Sequence, residues 1–342
     1  MTTQQLELTI KQLAVRGKGI LAADESTGTI TKRFGAIGIE SNEDTRRAYR
    51  ELLFTTPHLG DNIGGVILFE ETLMQKASDG TPMPELLQKN GMVPGIKVDK
   101  GLVILPNTKE ENITQGLDGL AERLVEYKAK GARFAKWRAV YNISENTPSG
   151  LAIRANAEIL ARYAAICQSQ GIVPIVEPEV LIDGTHTIET CSAVTEEVLY
   201  KVFAALHKNK VTLELIILKP SMVISGKSCP TKASVEQVAA ETIKVLRRTV
   251  PAAVPTINFL SGGQTSQEAT AHLNTMNAMG NLPWNVSYSY ARALQDDCMK
   301  LWQGNAKNVT TAQNALIKRA KLNSLAAQGK YSVEMEKEAS VA

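Results

Sequence analysis

Several apolar runs in this chain end abruptly in a charge, and those charges are of types that can do chemistry together. Leu213-Glu214-Leu215-Ile216-Ile217-Leu218-Lys219-Pro220-Ser221-Met222 carries branched aliphatics into one lysine, and a proline follows at once. Pro220 has no N–H to offer a strand ladder, so the extended run stops near Lys219. A lysine amine is a poor nucleophile while protonated, and its ordinary pKa is ~10.4. Apolar neighbours such as Ile216, Ile217 and Leu218, with a second cation such as Lys136 nearby, disfavour the ammonium form. A free amine adds to a ketone and forms a Schiff base, an electron sink that lets the adjacent carbon–carbon bond break or form. Taken alone, the stretch fits equally a lysine snorkelling to a sheet edge.

Such chemistry needs proton shuttles. Glu177 and Glu179 are two apart in Ile172–Glu179 and share one side of a strand, with Pro178 between them. A crowded carboxylate can have a raised pKa and serve as acid and base. The structural alternative is an ion pair with Lys136 or Arg138, which end Arg133-Phe134-Ala135-Lys136-Trp137-Arg138. Asp24 closes Lys18–Asp24 and could take a proton from a substrate hydroxyl, or could cap the next helix, as could Ser26 and Thr27.

Anion binding is the other half. Ser261-Gly262-Gly263 follows an apolar run, and glycines let backbone N–H groups approach a phosphate. Ser289 and Arg292, after another run, would complete that site. A second cationic cluster, Arg33, Lys97 and Arg138, could hold another phosphate, with the hydroxyls of Ser26 and Thr29 adding donors.

These residues need a scaffold that brings strand ends together. Eight short apolar segments supply it, ending at Asp24, Glu70, Lys97, Lys136 with Arg138, Glu177 with Glu179, Lys219, Ser261–Gly263 and Arg292. They recur roughly every 30–45 residues, with helical patterns between. Residues 1–16 form an amphipathic helix by spacing. Leu117, Leu120, Ala121, Leu124 and Val125 share one helix face, which Gly131 can terminate; Ile159, Tyr163, Ile166 and Cys167 repeat the pattern before Gly171. Thr195 is expected to cap a helix with Glu196 and Glu197 in its first turn. Ser234 and Gln237 have capping-box spacing, and 308–328 reads as a last helix. The alternation predicts a single-domain α/β fold, a (β/α)8 or TIM barrel, over residues 1–330, with a polar, mobile tail at 331–342. All eight strand ends would then face one mouth. The rival, a doubly wound open sheet, lacks a GxGxxG after the first strand.

The chain has 342 residues, is 44% hydrophobic and 21% charged, and carries a net charge of +3. Basic residues are spread evenly, which argues against nucleic acid as a partner. No apolar run is near membrane-spanning length, and Met1–Ile10 has no signal-peptide core. Cys167, Cys191, Cys229 and Cys298 are isolated, as are His58, His186, His207 and His272. The cysteine spacing points to a reducing compartment, and the histidine spacing offers no local histidine-rich metal site.

Several stretches together resemble class I fructose-bisphosphate aldolases: Leu21–Gly28, Gly64–Glu70, Gly95–Gly101, Phe134–Arg138, Val173–Glu179, Leu218–Val223, Arg247–Pro251 and Leu260–Gln264. The likeness runs from about residue 5 to Tyr331. It implies a barrel, usually a homotetramer, acting in the cytoplasm without a metal or other cofactor, in glycolysis and gluconeogenesis on phosphorylated sugars. It implies that Lys219 forms the Schiff base with dihydroxyacetone phosphate, and that Glu177 is the main proton carrier. Asp24 would assist cleavage, Lys136 the carbinolamine steps, and Glu179 would orient its neighbours. Ser261, Gly262, Gly263, Ser289 and Arg292 would hold the ketone-side phosphate; Arg33, Lys97, Arg138, Ser26 and Thr29 the aldehyde-side one.

Three positions depart from the family pattern. Ala291 stands where glycine is usual, Ile216 where threonine is frequent, and the chain ends Glu338-Ala339-Ser340-Val341-Ala342 without the tyrosine of muscle-type relatives. The last departure predicts slower turnover on fructose 1,6-bisphosphate and less selectivity over fructose 1-phosphate. Two rival functions are a scaffold or binding protein that kept the fold and lost activity, and a transaldolase-like enzyme on one-phosphate sugars.

Overall fold

The computed structural model describes residues 2–337. Eight parallel strands close a barrel: β1 (Gly19–Ala23), β2 (Ile63–Leu68), β3 (Val93–Lys97), β6 (Phe134–Tyr141), β7 (Val173–Val180), β8 (Ile217–Leu218), β9 (Thr256–Phe259) and β10 (Asn285–Tyr290). They neighbour one another in chain order, and β10 pairs with β1 to complete the ring. A small antiparallel hairpin, β4 (Leu102–Ile104) with β5 (Asn112–Thr114), is inserted after β3. The expected single-domain barrel is therefore present.

Helices α1 (Thr2–Leu13), α2 (Thr27–Gly35), α3 (Glu43–Phe54), α4 (Glu70–Met74), α5 (Met83–Lys89) and α6 (Leu120–Ala129) precede or alternate with the first strands. Helices α7 (Gly150–Ser169), α8 (Ile188–Lys208), α9 (Val235–Thr249), α10 (Ser266–Ala278), α11 (Arg292–Trp302) and α12 (Val309–Ala326) complete the outer layer. Ser234 and Gln237 form the expected capping box on α9. Gly131 and Gly171 follow α6 and α7 with positive φ, the conformation that lets a helix stop at no Cβ cost.

Alternation divides each strand's side chains between two cores. Outward residues such as Trp137, Val176 and Leu218 pack under the helices. Inward residues, among them Ala22, Phe134, Ile175 and Ile217, join Leu6, Ile10 and Leu13 of α1 in a separate apolar cluster. Helix α1 thus plugs the end of the barrel where most strands begin.

Three expectations need correction. Thr195 lies inside α8, whose N-cap is Thr187. The Thr-Glu-Glu pattern is a genuine local cap signal, but Ile188, Cys191 and Ser192 bury against neighbours and extend the helix upstream. Leu213–Leu215 is a 3-10 turn, and β8 is only Ile217–Leu218. The side chain of Gln168 takes over the ladder's task there: its amide donates to the carbonyls of Thr212 and Leu215, and its oxygen accepts from Thr212 N–H. Glu70 opens α4 and accepts from Tyr127 Oη at 2.7 Å and Lys100 Nζ at 3.0 Å. Beyond α12, Arg319 makes two hydrogen bonds to the Glu336 carboxylate. Tyr331 donates a third. The departure at 338–342 lies outside the described residues.

Candidate active site

The inward stripe of each barrel strand changes character within two residues at the mouth. Ala22 gives way to Asp24, Phe134 to Lys136, Ile175 to Glu177 and Ile217 to Lys219. Period-two geometry puts each charge on the same inner face as the apolar residue before it. The backbone N–H of Lys219 donates to Val176 O at 2.8 Å, so the lysine is still fixed on the sheet although β8 has ended.

The four charges form one string. Lys219 Nζ lies 3.1 Å from Glu177 Oε1, Glu177 Oε2 lies 3.2 Å from Lys136 Nζ, and Lys136 Nζ lies 2.7 Å from Asp24 Oδ2. All four side chains are buried, each less than 10% exposed. Uncompensated charges here would be very costly, and alternation of sign is what makes the burial tolerable.

The electrostatics follow. Burial is the largest single influence on Asp24 and would raise its pKa, but Lys136, Lys219 and Lys97 together outweigh it and hold the group at about 2. Burial opposes ionisation of Glu177 too, yet Lys136, Lys219 and Arg138 keep it below the usual carboxylate range. Burial would lower Lys136, but Asp24 and Glu177 push it well above the ordinary amine value. This corrects the expectation of a raised Glu177: it is crowded by cations, not by Glu179. Glu179 instead accepts from Arg138 Nε at 2.5 Å, which is the structural alternative weighed for it.

A cavity of about 500 Å³ opens over the string. Asp24, Ser26, Thr29, Arg33, Lys97, Lys136, Arg138, Glu177, Lys219 and Arg292 all line it, from in or just after five strands, from α2 with its N-cap, and from the start of α11. Ser261, Gly262, Gly263 and Ser289 do not line this cavity. Gly262 and Gly263 have positive φ, and a Cβ built on Gly263 would sit 3.8 Å from Arg292 Nη2, so that loop abuts the arginine at the cavity edge. Ser289 is buried with an Oγ that has no hydrogen-bond partner. Ala291 has φ −101°, so its Cβ is accommodated without left-handed strain.

Three of the cations at the rim are already paired. Arg33 is paired with Glu25 and with Asp296, Lys97 with Asp99 at 2.7 Å, and Arg138 with Glu179. Ser26 and Thr29 share a hydrogen bond of 3.1 Å. Glu25, Lys32 and Asp99 also line the cavity and were not singled out by sequence reasoning. Asp99 stands two residues past Lys97, a spacing that placed both on one side and could have been used. Chemically, the cavity offers a buried amine, a carboxylate between two amines, a second carboxylate, and a ring of guanidinium and ammonium groups facing an open mouth. That set suits a small, multiply anionic carbonyl compound. Among the described residues no group of three or more His, Cys, Asp or Glu side chains is arranged to hold a metal ion, and no helix is long and apolar enough to cross a membrane.

The chain is similar to known proteins over nearly its whole length. A family model described as fructose-bisphosphate aldolase class-I matches residues 5–342. A protein of Xanthomonas axonopodis pv. citri named "Probable fructose-bisphosphate aldolase class 1" is 56% identical over 332 residues, covering 97% of this chain and 99% of its own. The fructose-bisphosphate aldolase C of Carassius auratus is 53% identical, over 97% of this chain and 93% of its own. Among solved structures, the fructose-bisphosphate aldolase of Plasmodium falciparum superposes with a TM-score of 0.96 at 52% identity, covering 97% of this chain and 96% of that one. The chain is a member of the class I fructose-bisphosphate aldolase family, a family of lyases.

Proposed function

We propose that the protein cleaves fructose 1,6-bisphosphate reversibly to dihydroxyacetone phosphate and glyceraldehyde 3-phosphate through a Schiff base on Lys219, in glycolysis and gluconeogenesis. The observation that carries this reading is the buried string Lys219–Glu177–Lys136–Asp24. Lys219 hands its proton to Glu177, 3.1 Å away, and the free amine attacks the ketone carbon. Glu177, held ionised by its cations, is ready to receive that proton and later return it to the departing hydroxyl, so that water leaves and the iminium forms. Asp24 is an ionised carboxylate at the cavity wall and accepts the proton of the C4 hydroxyl as the C3–C4 bond breaks. The bonding electrons move into the iminium, giving an enamine. Lys136 bridges the two carboxylates and stabilises negative charge as it moves between them.

Arg292, with the Ser261–Gly263 loop and Ser289, takes the phosphate next to the ketone. Arg33, Lys97 and Arg138, with Ser26 and Thr29, take the phosphate at the other end. A homotetramer is the assembly expected, and sedimentation of the full chain tests it.

The deciding experiment is reductive trapping. The enzyme is incubated with dihydroxyacetone phosphate and borohydride, digested, and mapped by mass spectrometry. The reading expects one adduct, on Lys219. An unmodified Lys219 beside an adduct on another lysine overturns it.

A further inference from the structure

The rim cations raise a difficulty for the proposed substrate. Arg33 lines the cavity, but its guanidinium is already held by Glu25 on one side and by Asp296 at 3.0 Å on the other. To serve a phosphate, Arg33 must loosen from Glu25. The Glu25 side chain is only 7% exposed, so losing its cation would leave a buried carboxylate uncompensated.

A second cation stands behind Glu25. Arg50, on α3, is 2% exposed overall and points its Nη2 to 2.9 Å from Glu25 Oε2. That contact is close but poorly aligned, for Glu25 Oε2 has no hydrogen-bond partner of good geometry. Arg50 Nη1 also lacks a partner although it is buried. Nη2 reaches the Glu25 carbonyl only at a long 3.5 Å. One buried carboxylate oxygen and one buried guanidinium nitrogen are thus both unsatisfied and adjacent. Small rotations would join them in a two-point pair, the geometry guanidinium and carboxylate favour.

We propose that Arg50 is a positioning residue for the bisphosphate: it takes over Glu25 when Arg33 turns from that carboxylate to the aldehyde-side phosphate. Arg50 touches no reacting atom. It makes Glu25 an exchangeable partner, so Arg33 can be neutralised in the empty site and available in the occupied one. The proposal rests on the function proposed above, because it assumes a substrate with a phosphate at that end. Without Arg50, Glu25 has Arg33 as its remaining cation and holds it more tightly.

The test compares wild type with Arg50→Met, Glu25→Gln and the double variant, on fructose 1,6-bisphosphate and on fructose 1-phosphate, which has no phosphate at the far end. Arg50→Met is expected to raise KM for the bisphosphate by about 10–100-fold, the worth of one charged hydrogen bond, with the loss confined to that substrate. Neutralising Glu25 removes the need for a second cation, so the double variant is expected to recover toward Glu25→Gln alone. A purely structural arginine gives another pattern, with equal losses on both substrates, a lowered Tm and no rescue by Glu25→Gln. That pattern overturns the proposal. Should Arg50→Met fail to fold, Arg50→Lys keeps the charge without the fork, and a smaller rise confined to the bisphosphate is expected. Calorimetric binding of hexitol 1,6-bisphosphate to wild type and Arg50→Met reads the same effect without catalysis. It separates failure of this inference, equal affinities, from failure of the function itself, which is wild type that binds the analogue and cleaves nothing.

Discussion

The two ends of this barrel are built on the same strands and differ by two residues. At one end Ala22, Phe134, Ile175 and Ile217 meet the plug helix α1 in a dry apolar cluster. At the other, two positions along the same inward stripes, Asp24, Lys136, Glu177 and Lys219 form a buried string of alternating charge. The first end has no chemistry and needs only volume and apolar surface. The second gives up apolar burial for charges that survive because each has a partner of opposite sign. Stability and function are thus separated along the barrel axis, one layer of side chains apart, which is the division expected for this architecture.

The comparison predicts opposite phenotypes for substitutions at opposite ends. Lys219→Met is the largest expected effect on activity. Removing the proposed covalent nucleophile should lower kcat by a factor on the order of 10⁴ or more, equivalent to ~5.5 kcal/mol of barrier. The fold should hold, since methionine keeps the apolar stem. Circular dichroism and steady-state cleavage check both halves, and a variant that loses structure along with activity breaks the separation.

Ile175→Glu makes the complementary change by moving a carboxylate two residues down its own stripe. Ile175 is fully buried among apolar neighbours, and Lys136, its register partner on β6, is already held by Asp24 and Glu177, so the new charge would compete for a cation already taken. Destabilisation should exceed about 4 kcal/mol, and the readout is loss of soluble, folded protein. The same glutamate is tolerated at 177 only because Lys136 and Lys219 flank it. A folded Ile175→Glu protein with normal Tm would mean the two layers are not electrostatically distinct.

How much of this division was legible in the sequence depends on the range of the signal. The inward charges at 24, 136, 177 and 219 announce themselves because each ends an apolar run, a pattern contained within about eight residues. The capping box at Ser234 is local in the same way and is present. Partners that converge in space leave no such trace. Nothing near Arg33 in the chain shows that Glu25 is shared with Arg50 across α2 and α3, or that Asp296 closes the other side. Glu336 looks like one more polar tail residue until Arg319 of α12 is beside it. Thr195 and Leu213–Leu215 misled for the converse reason: their local signals are sound, and burial of Ile188–Ser192 and the Gln168 clamp overrode them.

Gly95→Ala probes the plugged end more gently. A Cβ on Gly95 would lie 2.3 Å from the ring of Phe134, and that ring is fully buried. The ring cannot retreat into solvent, so the cost should fall near the upper end of overpacking, about 3 kcal/mol. Urea unfolding measures it. Because Phe134 sits two residues below Lys136 on β6, the companion measurement is kcat. A change of less than about twofold supports two independent layers, whereas a large fall in kcat shows that strain passes up the strand into the string.

The smallest effect concerns whether the charged end also contributes to stability. Asp24 has a pKa of about 2 in the folded chain against 3.8 for the free side chain. The folded value is the lower, so the folded state favours the ionised form. The resulting stability is fully present above pH 3.8 and is lost as pH falls toward 2. The difference corresponds to on the order of 2 kcal/mol. Wild type should therefore lose more stability than Asp24→Asn between pH 5 and pH 2, ~3 pH units that span both values, in guanidinium unfolding at matched ionic strength. The variant's absolute stability at neutral pH is the less informative quantity, because Asn also leaves Lys136 short of a partner; the pH slope isolates the titration. Parallel slopes would show that the string is merely tolerated, its pairings offsetting burial and nothing more. A steeper wild-type slope would show that the mouth, to which we assign proton movement, also takes part in holding the barrel together.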